Sequence, residues 1–235
     1  MYSMKKIKVA INGFGRIGRA FFRAASTRPD MSIVAVNDLG SKENMEYLLA
    51  HDSVYGKSEC TLSGIEYVSE KEPRKLPWKK LGVDVVIEAT GFFTSAEQSR
   101  AHLDAGAKRV IITAPIKDGE TILMGLNEEK LSDAEVISNA SCTTNAASPI
   151  IAILDEAIGI EKAVLNTVHA YTATQALVDS PAGKKGLREG RAAAHIVPPC
   201  PSLFLPPFAT TTSLPARCGA RRAASPTRAK WPWPG

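Results

Sequence analysis

The chain has 235 residues, 44% of them hydrophobic and 23% charged, which is typical of a globular protein with a sizeable core, and no apolar run approaches the ~20 residues of a membrane span. The formal net charge of +5 comes from the residues after position 197, because residues 1–197 carry 24 basic and 24 acidic side chains. The absence of net charge over residues 1–197 argues against a nucleic-acid partner. No signal-peptide stretch precedes the first predicted strand, and the four cysteines lack the spacing of a disulfide framework or a metal site, so we expect a cytoplasmic protein.

Short β-branched runs alternate with segments of helical periodicity over the first 140 or so residues. Such alternation is typical of an α/β fold with a doubly wound parallel sheet. Strands are predicted at residues 7–11, 33–36, 83–87, 110–113 and 135–138. Helices are predicted from residue 17 to about 28 and at residues 43–50 and 95–105, with short antiparallel strands and loops over 55–80.

A glycine-rich turn follows the first predicted strand and opens the first predicted helix. Gly13, Gly15 and Gly18 fit the G-x-G-x-x-G spacing, and Asp38 ends the second predicted strand 20 residues later. These glycines permit a tight turn and let a pyrophosphate approach the helix N-terminus, while the carboxylate accepts hydrogen bonds from ribose hydroxyls and repels a 2′-phosphate. The pattern predicts a site for NAD rather than NADP. The other predicted cofactor-binding residues of this turn are Phe14, Arg16 and Ile17.

Two later strand ends supply further candidates for cofactor binding. Thr90 and Gly91 follow the third predicted strand, and Thr113 ends the fourth. The carboxyl ends of parallel strands form the ligand edge of an open α/β sheet. For either strand end alone, an ordinary strand-to-helix turn is an equally good interpretation.

Cys142 lies between an apolar run at residues 136–137 and a helix predicted over 146–157. The N-terminus of a helix favours the thiolate form of a cysteine, and Ser141 and Thr143 make the surroundings polar. Cys142 is therefore a candidate nucleophile, with a buried structural cysteine as the alternative.

His169 ends an apolar, strand-like run at residues 163–169. A histidine beside a thiolate can act as the base that activates the sulfur, whereas a lone histidine is more often a core or edge residue. The spacing does not show whether His169 meets Cys142. His51 and His102 fall in predicted helices, and we expect both at the surface.

Three segments in this order, residues 12–19, 141–145 and 169–175, closely resemble the phosphorylating (type I) glyceraldehyde-3-phosphate dehydrogenases. The resemblance runs from about residue 4 to residue 197. It implies a Rossmann-type NAD-binding domain over residues 1–145, followed by an incomplete α+β catalytic domain that begins over 146–197. It also implies a homotetramer, because residues 176–197 resemble a loop that reaches toward the cofactor of a neighbouring subunit.

The same resemblance implies NAD-dependent oxidation and phosphorylation of glyceraldehyde 3-phosphate to 1,3-bisphosphoglycerate. Cys142 would attack the aldehyde, His169 would take the proton, and a thioester on the sulfur would be cleaved by inorganic phosphate. Ser141 and Thr143 would hold that attacking phosphate. Thr172 would bind the phosphate of the substrate, with Thr174 nearby.

After residue 194 the sequence departs from the pattern of the family. Residues 198–235 contain nine of the 15 prolines and no acidic residue, which predicts an irregular or disordered tail. We interpret this tail as translated from a shifted reading frame, with a divergent tail as the alternative. We then expect a chain that lacks most of the catalytic domain, exposes apolar surface, aggregates readily and has little or no dehydrogenase activity.

Three other interpretations compete with this one. The chain could be a non-catalytic NAD-binding remnant, or it could bind nucleic acid through the basic tail. An aspartate-semialdehyde dehydrogenase also combines a Rossmann domain with a catalytic cysteine, but the pairing of segments 141–145 and 169–172 argues against it.

Overall fold

The computed structural model describes residues 6–131, 134–181 and 190–193. The chain divides into two units, residues 1–167 and residues 168–235. The strands of the first unit are β1 (Ile7–Asn12), β2 (Met31–Asn37), β3 (His51–Asp52), β4 (Gly56–Lys57), β5 (Glu66–Val68), β6 (Val85–Glu88), β7 (Arg109–Ile112), β8 (Glu120–Thr121) and β9 (Val136–Ser138). Its α-helices are α1 (Arg16–Ser26), α2 (Lys42–Ala50), α3 (Trp78–Leu81), α4 (Ala96–Ser99), α5 (Ala101–Asp104) and α6 (Cys142–Ile158). Two 3-10 turns lie at Pro73–Lys75 and Glu128–Leu131.

Seven strands form one parallel sheet in the order β5-β2-β1-β6-β7-β9-β8. From β1 the chain winds outward through β2 to β5, then returns to β6 on the other side of β1 and continues outward. This reversal places a topological switch point between β1 and β6, where open α/β sheets bind ligands. The doubly wound parallel sheet predicted from the sequence is confirmed.

Apolar clusters cover both faces of the sheet, since successive strand residues point to opposite sides. On one face Ala10 of β1 and Val86 of β6 pack with Trp78 of α3. On the other face Ile11 packs with Phe14 and Phe22, whose rings meet edge to face with centroids 5.5 Å apart. Burial on both faces explains why the strands read as continuous apolar runs.

The helix predicted over residues 95–105 forms as two short helices, α4 and α5, that meet at Arg100. Ser95 caps α4, because its hydroxyl accepts a hydrogen bond from the Gln98 N–H at 3.1 Å. The prediction of short antiparallel strands over residues 55–80 holds for β4, which pairs with β3, and is wrong for β5, which joins the main sheet parallel to β2.

The strand predicted over residues 163–169 is wrong. The structure has no regular element from residue 162 to residue 171, and Val168 is 94% exposed. A strand needs a partner for its backbone groups, and none of the described strands pairs with this run. An apolar sequence alone was therefore insufficient to make a strand here.

Helix α6 begins four residues earlier than predicted and leaves its apolar side chains uncovered. None of its 17 residues is buried, and Ile158 is 79% exposed. Apolar side chains are therefore exposed on this helix as well as at Val164, Leu165 and Val168. No described helix is both long enough and apolar enough to cross a membrane.

In the second unit, hydrogen bonds tie residues 176–180 to residues 190–193. The Ala193 N–H donates to the Ala176 carbonyl at 2.8 Å, and the Ser180 N–H donates to the Gly190 carbonyl at 2.7 Å. The tail predicted over residues 198–235 lies outside the described residues. The domain boundaries at residues 145 and 197 stay predictions.

Asp52 should make the fold sensitive to acid. Its carboxylate accepts the N–H groups of Tyr55 at 2.9 Å and Val54 at 2.8 Å and pairs with Arg16 at 3.2 Å. These contacts lower the pKa of Asp52 from 3.8 to about 2, and the hydrogen bond from the Tyr55 N–H has the largest effect. Because the pKa is lowered by folding, this stabilisation is complete above pH 3.8 and is lost as the pH falls toward 2.

We therefore expect Asp52→Asn to lower the free energy of unfolding at neutral pH, and the gap from wild type to close in acid. Urea unfolding at a series of pH values measures that gap. Asp104→Asn is the matched control, since Asp104 pairs with Arg74 at an exposed position. A gap for Asp52→Asn that stays constant down to pH 2 would contradict the assignment.

Candidate cofactor cleft and nucleophile

A cleft of about 820 Å³ opens at the carboxyl edge of β2, β1 and β6. Four of the residues predicted to bind the cofactor line it together: Gly13, Gly15, Asp38 and Thr90. The sheet register brings them together, because Asn12 at the end of β1 is level with Asn37 in β2 and Glu88 in β6. The turns that follow these three strand ends therefore meet around one opening.

The three glycines of the turn have different roles. Gly13 has φ +93°, and a Cβ there would lie 2.6 Å from the Thr90 backbone nitrogen. A Cβ on Gly18 would collide with the Gly13 carbonyl oxygen. A Cβ on Gly15 would meet nothing within 4 Å. Gly13 and Gly18 are thus required by the packing of the turn, whereas Gly15 leaves open space in the cleft.

Asp38 holds the glycine turn against the end of β2. One carboxylate oxygen accepts the Phe14 N–H at 2.7 Å, and the other accepts the Gly40 N–H at 2.8 Å. Each oxygen keeps a lone pair for a further donor, such as a ribose hydroxyl. Tyr67 lies close by, and burial, followed by the charge of Asp38, raises the pKa of its phenol to about 12.

The first turn of α1 fits a bound pyrophosphate. Gly15 is its N-cap and makes no side-chain cap hydrogen bond, and the turn has no acidic residue. Its N–H groups and the helix dipole are therefore directed at the open space beside Gly15. This space, together with the Asp38 carboxylate, matches what a dinucleotide requires.

Phe14, Arg16 and Ile17, also predicted to bind the cofactor, are not among the residues that line this cleft. The Phe14 side chain is buried against Phe22, so only the Phe14 backbone is available to contact a cofactor. Arg16 pairs with Asp52 at 3.2 Å, and Ile17 is exposed on the first turn of α1.

Gly91 and Thr113 are not among the residues that line the cleft. Gly91 has φ +72° and space for a Cβ. The Thr113 hydroxyl donates to the Glu88 carbonyl at 3.1 Å, which fixes the end of β7 to the end of β6. Both residues stay predicted cofactor contacts.

The expectation that His102 lies at the surface is wrong. His102 is completely buried, and its ring contacts the Trp78 indole nitrogen at 3.0 Å and a Glu88 carboxylate oxygen at 3.0 Å. The sequence did contain a signal for this polar cluster. Asn12, Asn37 and Glu88 each interrupt the apolar character of a strand at its carboxyl end.

Cys142 is the first residue of α6, and its side chain is exposed. Ser141 is the N-cap, with its hydroxyl accepting the Thr144 N–H at 3.0 Å. Ala140 has φ +58°, which turns the chain sharply between β9 and the helix. The helix thus starts at the cysteine itself, in the setting that favours a thiolate. Thr143 lies in the same first turn, half-buried.

The remaining predicted catalytic and phosphate-binding residues belong to the second unit. His169 is exposed, with Nδ1 at 2.6 Å from the Ala170 carbonyl oxygen. The hydroxyls of Thr172 and Thr174 lie 3.1 Å apart, and the Thr172 N–H donates to the Gln175 side chain at 2.8 Å. These contacts define a local turn, and the roles of its residues stay predictions.

In comparison with known proteins, two separate segments of the chain match the two domain models of one family. Residues 7–96 match the model of the glyceraldehyde 3-phosphate dehydrogenase NAD-binding domain, and residues 141–210 match that of the C-terminal domain. The second match continues past residue 197, the predicted end of the resemblance.

Several complete enzymes are similar to most of the chain. Glyceraldehyde-3-phosphate dehydrogenase 1 of Bacillus subtilis is 46% identical over 82% of the chain, and that of Streptomyces avermitilis is 48% identical over 82%. The enzyme of Geobacillus stearothermophilus is 46% identical over the same share. The chain spans only 61–62% of the length of these relatives. Both domain matches and the similarity to these relatives show that the chain belongs to the glyceraldehyde-3-phosphate dehydrogenase family, whose cofactor is NAD.

Proposed function

We propose that this chain binds NAD in the cleft at the edge of β2, β1 and β6. The observation that carries the proposal is the open space at Gly15, at the uncapped N-terminus of α1 and beside Asp38. The helix N-terminus would bind the pyrophosphate, and Asp38 would accept hydrogen bonds from the adenosine ribose. Thr90 would contact the other half of the dinucleotide, because it lies across the switch point from Asp38.

We further propose that Cys142 and His169 perform the oxidation and phosphorylation of glyceraldehyde 3-phosphate. The Cys142 thiolate attacks the aldehyde carbon, and the oxygen that becomes negative is stabilised by N–H groups of the first turn of α6. His169 holds the proton of the hemithioacetal hydroxyl as that group is oxidised. Bound NAD would supply the acceptor for the hydride that leaves the same carbon.

The thioester that remains on Cys142 is then cleaved by inorganic phosphate. The phosphate oxygen forms a bond to the acyl carbon, the carbon–sulfur bond breaks, and 1,3-bisphosphoglycerate leaves with Cys142 again a thiolate. Ser141 and Thr143 would hold the incoming phosphate at the start of α6. Thr172 and Thr174, whose hydroxyls are already 3.1 Å apart, would hold the phosphate of the substrate.

A non-catalytic NAD-binding protein is the second candidate function. One observation favours it: the segment that leads to His169 has no regular structure, and residues 161–174 are all exposed. A general base must be held within hydrogen-bond reach of the proton that it takes. In this case the cleft would bind NAD, but the chain would not oxidise glyceraldehyde 3-phosphate.

Calorimetric titration of the full chain with NAD⁺ and NADP⁺ tests the binding that both candidates share. We expect NAD⁺ to bind and NADP⁺ to bind at least about tenfold more weakly, because the Asp38 carboxylate repels a 2′-phosphate. Asp155→Asn on α6, far along the sequence from the cleft, should not change this ratio. Equal affinities for the two cofactors would contradict the role of Asp38, and no binding of either would contradict both candidates.

The homotetramer and the cytoplasmic location implied by the resemblance belong to the same proposal. Analytical ultracentrifugation of the full chain, with and without NAD⁺, measures the first. Cell fractionation measures the second.

A further inference from the structure

A row of buried polar side chains runs beneath the cleft, across the ends of three strands. The Asn37 amide nitrogen donates to Asn12 Oδ1 at 2.6 Å, and the Asn12 amide nitrogen donates to Glu88 Oε2 at 2.6 Å. All three residues are 5% exposed or less. Burial of polar groups is unfavourable unless every one finds a partner, so such a row indicates a specific role.

Trp78 fixes the orientation of hydrogen bonds at one end of the row. An indole N–H can only donate, so Nδ1 of His102, 3.0 Å away, is the acceptor. The His102 ring proton is therefore on Nε2, which donates to Glu88 Oε2 at 3.0 Å. The ring has one acceptor and one donor, and both are used.

The other oxygen of Glu88 holds the wall of the cleft. Glu88 Oε1 accepts the Thr90 N–H at 2.8 Å and also accepts the Thr90 hydroxyl. That hydroxyl in turn accepts the Phe92 N–H at 3.1 Å. The chain of contacts thus runs from the buried indole through His102 and Glu88 to the loop at residues 90–92, where Thr90 and Phe92 line the cleft.

At the opposite end the row holds a second piece of wall. Asn37 accepts the Glu70 N–H at 2.9 Å and donates to the Glu70 carbonyl at 2.8 Å. Glu70 also lines the cleft. Two segments that line the cleft, one at Glu70 and one at Thr90, are therefore held by the same buried network of hydrogen bonds.

We propose that Glu88, oriented by His102 and Trp78, is a positioning residue that holds the Thr90–Phe92 wall in the shape that receives the cofactor. The proposal rests on the proposed NAD site and adds buried residues that do not touch the ligand. Binding groups held by a hydrogen-bonded supporting layer keep their geometry, and loss of one supporting partner weakens binding.

Two variants of His102 separate positioning from simple stability. His102→Leu removes both hydrogen bonds, whereas His102→Gln keeps one acceptor for Trp78 and one donor for Glu88. With folded protein, shown by circular dichroism, we expect calorimetry to give about tenfold weaker NAD⁺ binding for His102→Leu and about wild-type affinity for His102→Gln. Amide NMR shifts of Thr90 and Phe92 should move in the leucine variant and return in the glutamine variant.

The outcomes distinguish this proposal from the proposed function. If wild type binds NAD⁺ and folded His102→Leu binds it equally well, the network only stabilises the fold and the positioning role is wrong. If wild type does not bind NAD⁺, the proposed function itself fails and this proposal fails with it. If His102→Leu does not fold, Trp78→Phe replaces it, since that change keeps an aromatic ring in the core and removes the indole N–H. Unchanged NAD⁺ affinity and unchanged Thr90 shifts in Trp78→Phe would overturn the proposal.

Discussion

Gly15→Ser is expected to reduce NAD⁺ affinity by roughly a hundredfold while the free energy of unfolding stays within about 1 kcal/mol of wild type. Gly15 is the N-cap of α1 with φ −66°, so serine fits both the backbone and the cap. The added atoms enter the open space in which the pyrophosphate is expected, and the serine hydroxyl competes for the same N–H groups.

Gly18→Ser, in the same turn, should reduce the stability of the fold, whereas Gly15→Ser should reduce NAD⁺ affinity. Its Cβ would collide with the Gly13 carbonyl oxygen, which is backbone and has little freedom to move. We expect the free energy of unfolding, measured by urea denaturation, to fall by at least about 1–3 kcal/mol. If Gly15→Ser binds NAD⁺ normally, or if Gly18→Ser is as stable as wild type, the division of roles among the glycines is wrong.

A chain of this sequence is expected to produce NADH from glyceraldehyde 3-phosphate and phosphate about a thousandfold more slowly than the Bacillus subtilis relative. Cys142 is exposed at the start of a complete helix, so its thiol should still react with iodoacetamide faster than the half-buried Cys60. His169 lies in a segment without regular structure, which does not hold a general base in place.

Steady-state NADH formation and mass spectrometry of the alkylated cysteines measure these two properties separately. Cys142→Ser is the control for both, since it should remove the fast alkylation and any residual turnover. Turnover close to that of the relative would show that the irregular segment is ordered during the reaction. Slow alkylation of Cys142 would show that the helix start does not activate the thiol.

The parts of the fold that depend on local sequence were predicted well. Strands β1, β2 and β6 form where apolar runs occur, and the glycine turn lies between β1 and α1 as its spacing required. Asp38 lies in the cleft for the same reason, because it directly follows β2.

The errors have a common cause in contacts between distant residues. His102 was expected at the surface because its own helix gave no sign of its partners, Trp78 and Glu88, which lie 24 and 14 residues away. The apolar run at residues 163–169 satisfies the composition of a strand, but a strand also needs a neighbour to pair with. Neither property can be read from a short window of sequence.

The central claim is that NAD occupies the cleft over the ends of β2, β1 and β6. The most direct test is to map backbone amide chemical shifts of the isotope-labelled full chain while NAD⁺ is added. We predict that the largest changes fall in the turn at residues 13–18, at Asp38 and in the loop at residues 90–92. Changes confined to α6 or to residues after 168, or no changes at saturating NAD⁺, would contradict the claim.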